Sequence, residues 1–215
     1  MRVLHLVLAI MVAFVSINNG VARAVGAPGG RGGAGGNGRT YRRPVPVPVV
    51  CEDPTLPPGA EAGSLVVGGP HGVHFSDAAL VKSGQKVLSI NLRAAERVDA
   101  VILTIVNPSG EESTLYHGGR GGVLKTPLAL AEGEYITIME AHTGKHKEHT
   151  RVKYIKFTTN LGNFIEGGTW MGYNITDQVG TDTAKDGYQL GGFIGRSGDE
   201  LDRVCAIWTS IKPVV

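Results

Sequence analysis

The stretch GRSGDELDRVCAIWTSI, from Gly195 to Ile211, joins a turn rich in glycine and acidic residues to a long apolar run. Three carboxylates, those of Asp199, Glu200 and Asp202, fall within this turn. Carboxylates resist burial and repel one another at short range. The turn is therefore expected to be exposed, with its carboxylates available to a ligand, and the apolar run after it is expected to be a buried strand.

Short β-rich runs of the same kind recur from Gly63 onward, separated by clusters of Gly, Asn, Asp and Ser. They include KVLSINL, DAVILTIV, EYITIME, RVKYIKFTT and YQLGGFIG, and helical periodicity does not accompany them. Strand-length runs between turn residues are typical of all-β proteins. The pattern therefore predicts an all-β domain, which we place at residues 61–215.

Two series of motifs repeat at intervals of about fifty residues. One series consists of Gly-rich loops and the other of charged turns that precede apolar runs. Pairing each loop with one turn predicts three related β-units. Three four-stranded sheets around a pseudo-threefold axis would account for these three units. The loops begin at Gly68, Gly118 and Gly167, and the turns begin at Glu96, Glu148 and Asp199.

With these motifs in order, the segment from about Gly63 to Ile211 resembles the jacalin-related lectins. The motifs that carry the resemblance are GGPHGVHFSD, ERVDAVILTI, HGGRGG, LAEGEYITIMEAHTG, VKYIKFTTNLG and GFIGRSGDELDRVCAIW. The resemblance implies a β-prism I fold of three four-stranded Greek-key sheets. It also implies a carbohydrate-binding protein that is not an enzyme and uses neither a cofactor nor a metal ion.

In this family the sugar lies between the first Gly-rich loop and the last charged turn. The resemblance therefore implies a carbohydrate site at Gly72, Asp199, Glu200 and Asp202. Asp202 is expected to accept hydrogen bonds from two neighbouring hydroxyls, while the backbone N–H groups of the other three residues donate. The side chains of Asp199 and Glu200 are then expected to point to water.

The sugar class follows from the residues inside the last turn. Galactose-preferring relatives tend to carry aromatic residues there, whereas this chain has Asp199, Glu200 and Leu201. The resemblance thus implies glycans that end in mannose or glucose as partners. The chain departs from the family at His71, where a glycine is usual, and at Val67, where an aromatic residue is usual. Both departures bear on specificity.

A second candidate site lies in the next repeat, where Asp99 matches the carboxylate and Ala95 replaces the leading glycine of the turn. Alternatively, Asp99 caps a strand or the repeat is a relic of duplication. In the third repeat Arg151 aligns with the carboxylate, and an arginine cannot accept a hydroxyl proton, so no site is expected there. The second candidate site comprises Gly122, Glu96, Arg97 and Asp99.

The N-terminal third of the chain differs from the rest. Residues 1–24 combine Arg2, an apolar run and Ala22-Arg23-Ala24, which predicts a signal peptide and a secreted, extracellular protein. Residues 25–60, rich in Gly and Arg and then in Pro and Val, predict a flexible extension. The apolar run is too short to span a bilayer, so membrane insertion is not expected. A net charge of +2 gives no strong attraction to nucleic acid.

Covalent features follow from the secreted context. Cys51 and Cys205 are expected to form a disulfide that ties the start of the folded region to the last strand, the alternative being two free thiols. Asn174 begins the glycosylation acceptor Asn-Ile-Thr. A homo-oligomer is one way for weak sites to become effective together.

Three other chemistries compete for these residues. His142, His146 and His149 are spaced as zinc ligands on a helix, but their flanks predict a hairpin loop. The acidic turn could supply oxygen ligands for calcium, although it is too short to complete the shell alone. A glycosidase would need two carboxyl groups that face each other across a bond, which neighbours in one turn rarely do. A structural or protein-interaction module without a ligand is the remaining alternative.

Overall fold

Every regular element in the described residues is a β-strand, as the alternation of short apolar runs and turns predicts. The computed structural model describes residues 51, 53, 55–170 and 179–214, all within the compact unit Pro46–Val215. None of these residues forms a helix that could cross a membrane. The strands are β1 (Ala60–Ala62), β2 (Val67–Gly68), β3 (Val73–Ser76), β4 (Lys86–Ala94), β5 (Val98–Val106), β6 (Glu112–Gly118), β7 (Val123–Leu124), β8 (Leu128–Ala129), β9 (Ile136–His146), β10 (His149–Thr159), β11 (Phe164–Gly168), β12 (Val179–Thr183), β13 (Tyr188–Ser197) and β14 (Leu201–Ser210).

Each of three antiparallel sheets is built around one long hairpin. The first sheet contains the hairpin β13–β14 with β1, β2 and β3, and the second contains β4–β5 with β6, β7 and β8. The third sheet contains β9–β10 between β11 and β12. This arrangement confirms the predicted β-prism of three sheets. Two sheets have five strands rather than four because one outer strand is interrupted, so that β1 and β2 both pair with β14, and β7 and β8 both pair with β4.

The first sheet joins the two ends of the folded region. Strand β2 pairs with β14 at one edge of the hairpin, and β3 pairs with β13 at the other edge. The loop between β2 and β3 must therefore cross the end of the β13–β14 hairpin. This loop is the first Gly-rich motif, so the topology brings it to the acidic turn about 130 residues further along the chain.

The core lies between the three sheets, where the inward-facing residues of all of them meet. Phe157 of the third sheet and Phe193 of the first pack edge to face, with ring centroids 5.7 Å apart. Trp208 is buried, and its indole N–H donates to Asp182 at 3.1 Å. Aromatic residues fill large volumes in such a core, and a buried indole needs an acceptor of this kind.

Alternate residues of β14 serve two separate clusters. Val204 and Trp208 belong to the main core, whereas Cys205 and Ile207 face a smaller cluster that includes Cys51. The disulfide between Cys51 and Cys205, with Cα atoms 6.2 Å apart, confirms the predicted bridge. The end of the predicted extension thus lies on the first sheet.

Candidate functional site

A β-bulge near the turn of each long hairpin defines three equivalent positions. The pairing register shifts by one residue in β4–β5, in β9–β10 and in β13–β14. A bulge leaves one residue without a direct partner and re-aims its side chain. The bulged residues are Asp99 in the second sheet, Lys153 in the third and Asp202 in the first.

In the third repeat the bulged residue lies two positions after the residue that motif spacing predicted. Lys153, not Arg151, is equivalent to Asp202. The reason is the length of the β9–β10 hairpin, whose strands have 11 residues each and meet at a tight turn with positive φ at Lys147 and Glu148. The bulge consequently lies further from the turn than in the other two hairpins. An ammonium group cannot accept a hydroxyl proton either.

The Gly-rich loops approach the three bulges in the same way. Gly68, Gly118 and Gly168 lie fifty residues apart and have φ values of +122°, +126° and +92°, which side chains rarely tolerate. The next residue in the first two loops donates its N–H to the carbonyl of the bulged aspartate, Gly69 to Asp202 at 2.7 Å and Gly119 to Asp99 at 2.9 Å. The glycine period found in the sequence thus marks one repeated contact.

In the first sheet the bulged carboxylate faces bare main chain. Gly72 has a φ of +71°, and a Cβ atom built on it would overlap Oδ2 of Asp202 and lie 2.8 Å from the carbonyl of Ser197. The turn beyond is closed by a hydrogen bond of 3.0 Å from the N–H of Gly198 to the carbonyl of Glu200. The structure thus brings together the predicted residues Gly72, Asp199, Glu200 and Asp202.

The second sheet repeats this geometry at the second candidate site. Gly122 has a φ of +59°, and a Cβ atom there would overlap Oδ2 of Asp99 and lie 2.8 Å from Ala94. The N–H of Ala95 donates to the carbonyl of Arg97 at 3.0 Å, as Gly198 does to Glu200. Alanine in place of glycine leaves this turn unchanged. Glu96 is exposed at its tip.

Two arginines that the sequence did not single out hold these loops. Arg196 donates to the carbonyls of His71 at 3.0 Å and Gly72 at 2.9 Å. Arg93 donates in the same manner to Gly121 at 2.8 Å and Gly122 at 3.3 Å. Each arginine lies six residues before its bulged aspartate, a spacing that was visible in both repeats and could have identified them.

Ion pairs hold the two bulged carboxylates. Nη1 of Arg151 lies 2.7 Å from Oδ1 of Asp202, and Nη2 of Arg97 lies 3.2 Å from Oδ1 of Asp99. Asp202 is only 3% exposed and Asp99 only 2%. Burial raises the pKa of both carboxyl groups above the ordinary range of aspartate, and the neighbouring arginine opposes this shift in each case. Each arginine therefore favours the ionised form.

The side chain of Glu200 does not point to water as the sequence had suggested. Its carboxylate is bound by Nε of Arg151 and Nε of Arg97, and it is 12% exposed. The two arginines lower its pKa despite the opposing effect of burial. The side chain of Asp199, in contrast, is exposed as expected.

The rim of the first site carries a stacked pair of imidazoles. The rings of His71 and His149 lie 4.2 Å apart and are nearly parallel. Burial, the adjacent imidazole of His149 and the guanidinium of Arg151 lower the pKa of His71. Val73, which follows Gly72, is 75% exposed, and Val123, which follows Gly122, is 66% exposed. Each candidate site thus has an apolar side chain beside its glycine.

The remaining predicted sites are placed as follows. His146 and His149 face each other across the β9–β10 turn, while His142 is buried against Tyr154. The described residues contain no group of three or more metal-ligating side chains with suitable geometry. The glycosylation acceptor at Asn174, the signal peptide at residues 1–24 and most of the extension lie outside the described residues.

Comparison with known proteins identifies the family. Residues 64–207 match the family model of the jacalin-like lectin domain. A curated relative, secreted RxLR effector protein 19 of Plasmopara viticola, is 34% identical over 143 residues, which cover 66% of this chain and 78% of the relative.

Solved structures show the same fold. A mannose binding jacalin related lectin from Ananas comosus superimposes with a TM-score of 0.59 at 20% identity and covers 71% of this chain and 99% of its own. Artocarpin in complex with mannotriose superimposes with a TM-score of 0.56 at 21% identity, covering 67% and 97%. Three hairpin sheets, the Gly-rich loops that cross them and the match over 144 residues agree, and the chain belongs to the jacalin-like lectin domain family.

Proposed function

We propose that this protein is a secreted lectin that binds glycans ending in mannose or glucose, without catalysis. One observation carries the proposal: the buried carboxyl group of Asp202, paired with Arg151, faces the bare main chain of Gly72 in a loop that crosses the acidic turn. A saccharide offers neighbouring hydroxyl groups that need acceptors and ring oxygens that need donors. Such a pairing of one acid with open backbone N–H groups supplies both.

The roles of the four residues follow from their contacts. Oδ1 of Asp202 is held by Arg151, which leaves Oδ2, on the side of Gly72, to accept hydrogen bonds from the sugar. The N–H groups of Gly72, Asp199 and Glu200 donate to the saccharide. Because a carboxylate oxygen has two lone pairs, a single oxygen serves two adjacent hydroxyls.

Two features support the sugar class. The acidic turn contains no aromatic residue that would stack on a galactose ring, and two structural neighbours are described as mannose binding or as a mannotriose complex. Secretion is supported by the apolar segment within residues 1–24 and by the curated relative, which is a secreted effector.

Binding of one sugar is expected to be weak. Four or five exposed hydrogen bonds, each contributing about 1 kcal/mol net, correspond to a dissociation constant near the millimolar range. Effective recognition of a glycan-coated surface then needs several sites on one particle. A homo-oligomer or the second site at Gly122, Glu96, Arg97 and Asp99 would provide them.

A glycan array tests the proposal. The complete protein is applied to glycans that end in mannose, glucose or galactose, with and without soluble methyl α-mannoside. We expect binding to the mannose- and glucose-terminated glycans and its loss with the competitor. Binding to galactose alone would contradict the sugar class, and release of reducing sugar during the incubation would point to an enzyme instead.

One observation favours a second candidate function. Asp202 is almost completely buried and already has an ion-pair partner in Arg151, so the same scaffold could serve as a protein-interaction module with no sugar ligand. An array without any bound spot at high protein concentration would favour this alternative.

The number of sugar sites is a separate prediction. We expect a calorimetric titration with a mannoside to give two sugars per chain, and one sugar per chain after Asp99→Asn, because the geometry at Asp99 and Gly122 repeats that at Asp202 and Gly72. A stoichiometry of one in the unmodified protein that is unaffected by Asp99→Asn would exclude the second site.

A further inference from the structure

Three charged side chains from equivalent positions of the three sheets meet at one point. Arg97, Arg151 and Glu200 each lie two residues before the bulged residue of their hairpin. One carboxylate oxygen of Glu200 contacts Nε of Arg151 and the other contacts Nε of Arg97. Residues at equivalent positions converge in this way only near the pseudo-threefold axis. We call these three residues the Arg–Glu–Arg hub.

The hub connects the two candidate carboxylates. Arg151 continues from Glu200 to Asp202, and Arg97 continues from Glu200 to Asp99. The result is an unbroken row of alternating charges that runs from the second candidate site to the first. Glu200 belongs to a different hairpin from Arg97 and Arg151. Its contacts with these two arginines therefore form only when the three sheets close into the prism.

The outer N–H groups of the arginines are also bound. Nη1 of Arg97 lies 3.0 Å from Nε2 of His146, and Nη2 of Arg151 lies 2.9 Å from Nδ1 of His149. A guanidinium has donors only, so both imidazole nitrogens must be unprotonated acceptors. Nη1 of Arg151 further donates to the carbonyl of Thr150 at 3.1 Å. These contacts fix the orientation of both arginines.

We propose that the Arg–Glu–Arg hub is a shared positioning device that holds both sugar-binding carboxylates in place and ionised, so that each site depends on residues of another repeat. The proposal rests on the proposed function, because it assigns the hub to those sites. Arg151, from the third sheet, serves the first site, and Arg97 serves the second. Glu200 serves both, through its two arginines, in addition to the N–H that it presents to the sugar.

Removing each hub residue is expected to shift the pKa of the aspartates in a defined direction. Removing the positive charge of Arg151 leaves Asp202 buried beside Glu200, which favours the protonated acid. Removing Arg97 does the same to Asp99. Removing the negative charge of Glu200 has the opposite effect on both aspartates. Asp202 is faced by Arg151, Glu200, His71 and Arg196, and Asp99 by Arg97, Glu200, Arg93 and His146.

Carbon NMR titration of the aspartate carboxyl groups tests these directions of pKa change in the absence of sugar. In Arg151→Gln we expect the pKa of Asp202 to rise while that of Asp99 changes much less, and in Arg97→Gln the reverse. In Glu200→Gln both should fall. Lys86→Gln is the matched control, since it removes a cation from an exposed pair with Glu132 at the other end of β4. A purely structural role would lower thermal stability without this pattern.

Mannoside titration of the same variants completes the experiment. Arg151→Gln should weaken sugar affinity at the first site by about tenfold or more, as expected for loss of a buried ion-pair partner. As the pH is lowered, binding by this variant should be lost at a higher pH than binding by the unmodified protein, because Asp202 is protonated earlier. Arg151→Lys should restore part of the affinity. If Arg151→Gln changes neither the sugar affinity nor the titration of Asp202, the proposed role of the hub is wrong, while the proposed function is unaffected. If the carboxyl titrations follow the expected signs but the unmodified protein binds no sugar, the proposed function falls and the electrostatic coupling stands.

Discussion

Replacing Asp202 by asparagine is expected to abolish sugar binding at the first site. The substitution keeps the size of the side chain but removes the charge that strengthens its hydrogen bonds to two hydroxyls. Hydrogen bonds to a charged acceptor contribute about 1.5–3 kcal/mol each and neutral ones about 0.5–1.5 kcal/mol, so weakening two of them corresponds to about a thirtyfold loss of affinity or more. From a millimolar starting point this places binding beyond detection. The measurement is calorimetry in the Asp99→Asn background, where only the first site is counted.

The folded state is expected to survive this change. Arg151 keeps Glu200 as its ion-pair partner when Asp202 is neutral. Asp186→Asn is the control, because this exposed aspartate in the turn between β12 and β13 loses the same charge at the end of β13 opposite the acidic turn. If Asp202→Asn binds mannoside as tightly as Asp186→Asn does, the carboxylate is not the acceptor and the proposed site is wrong.

Loss of the disulfide is expected to have the largest effect on stability. Cys51 and Cys205 are separated by 154 residues, and closing so long a loop removes much of the entropy of the unfolded chain. On that model the double variant Cys51→Ala/Cys205→Ala should lose about 2–5 kcal/mol of unfolding free energy, which urea denaturation followed by circular dichroism measures.

A single variant separates the cross-link from packing. Cys205 is buried beside Val81, Ile194 and Ile207, so its replacement also leaves a small cavity. Cys51→Ala removes the bridge but leaves the Cys205 side chain in the core. We expect Cys51→Ala to show most of the loss seen in the double variant. If the stability of Cys51→Ala equals that of the unmodified protein, the bridge does not stabilise the fold.

Most of the fold could be predicted because its signals are local. Apolar runs of strand length, bounded by turn residues, indicate strands wherever they occur. Glycines at Gly68, Gly118 and Gly168 have positive φ, which few other residues tolerate, so their period marks the repeat directly. The candidate residues Gly72 and Asp202 were implied by the resemblance to the jacalin-related lectins, whose sugar site is formed by two short local motifs that this sequence matches.

The register of the third repeat could not be predicted in this way. Equal spacing of motifs pointed to Arg151 as the equivalent of Asp202, but the longer β9–β10 hairpin moves the bulge to Lys153. The position of a bulge depends on how two strands pair, and hairpin length is set by turn geometry as well as by hydrophobic pattern. Motif spacing alone carries no information about strand pairing or turn geometry.

The amino-acid sequence by itself determined the β-prism, the Gly-rich loops, the acidic turn and the cysteines that form the bridge. Only the tertiary structure decided how the charges are used: Glu200 turns inward to two arginines, and Arg151 of one sheet holds Asp202 of another. The physical reason is distance. Backbone preferences act over a few neighbouring residues, whereas an ion pair forms between side chains about fifty residues apart only once three sheets have closed around a common axis.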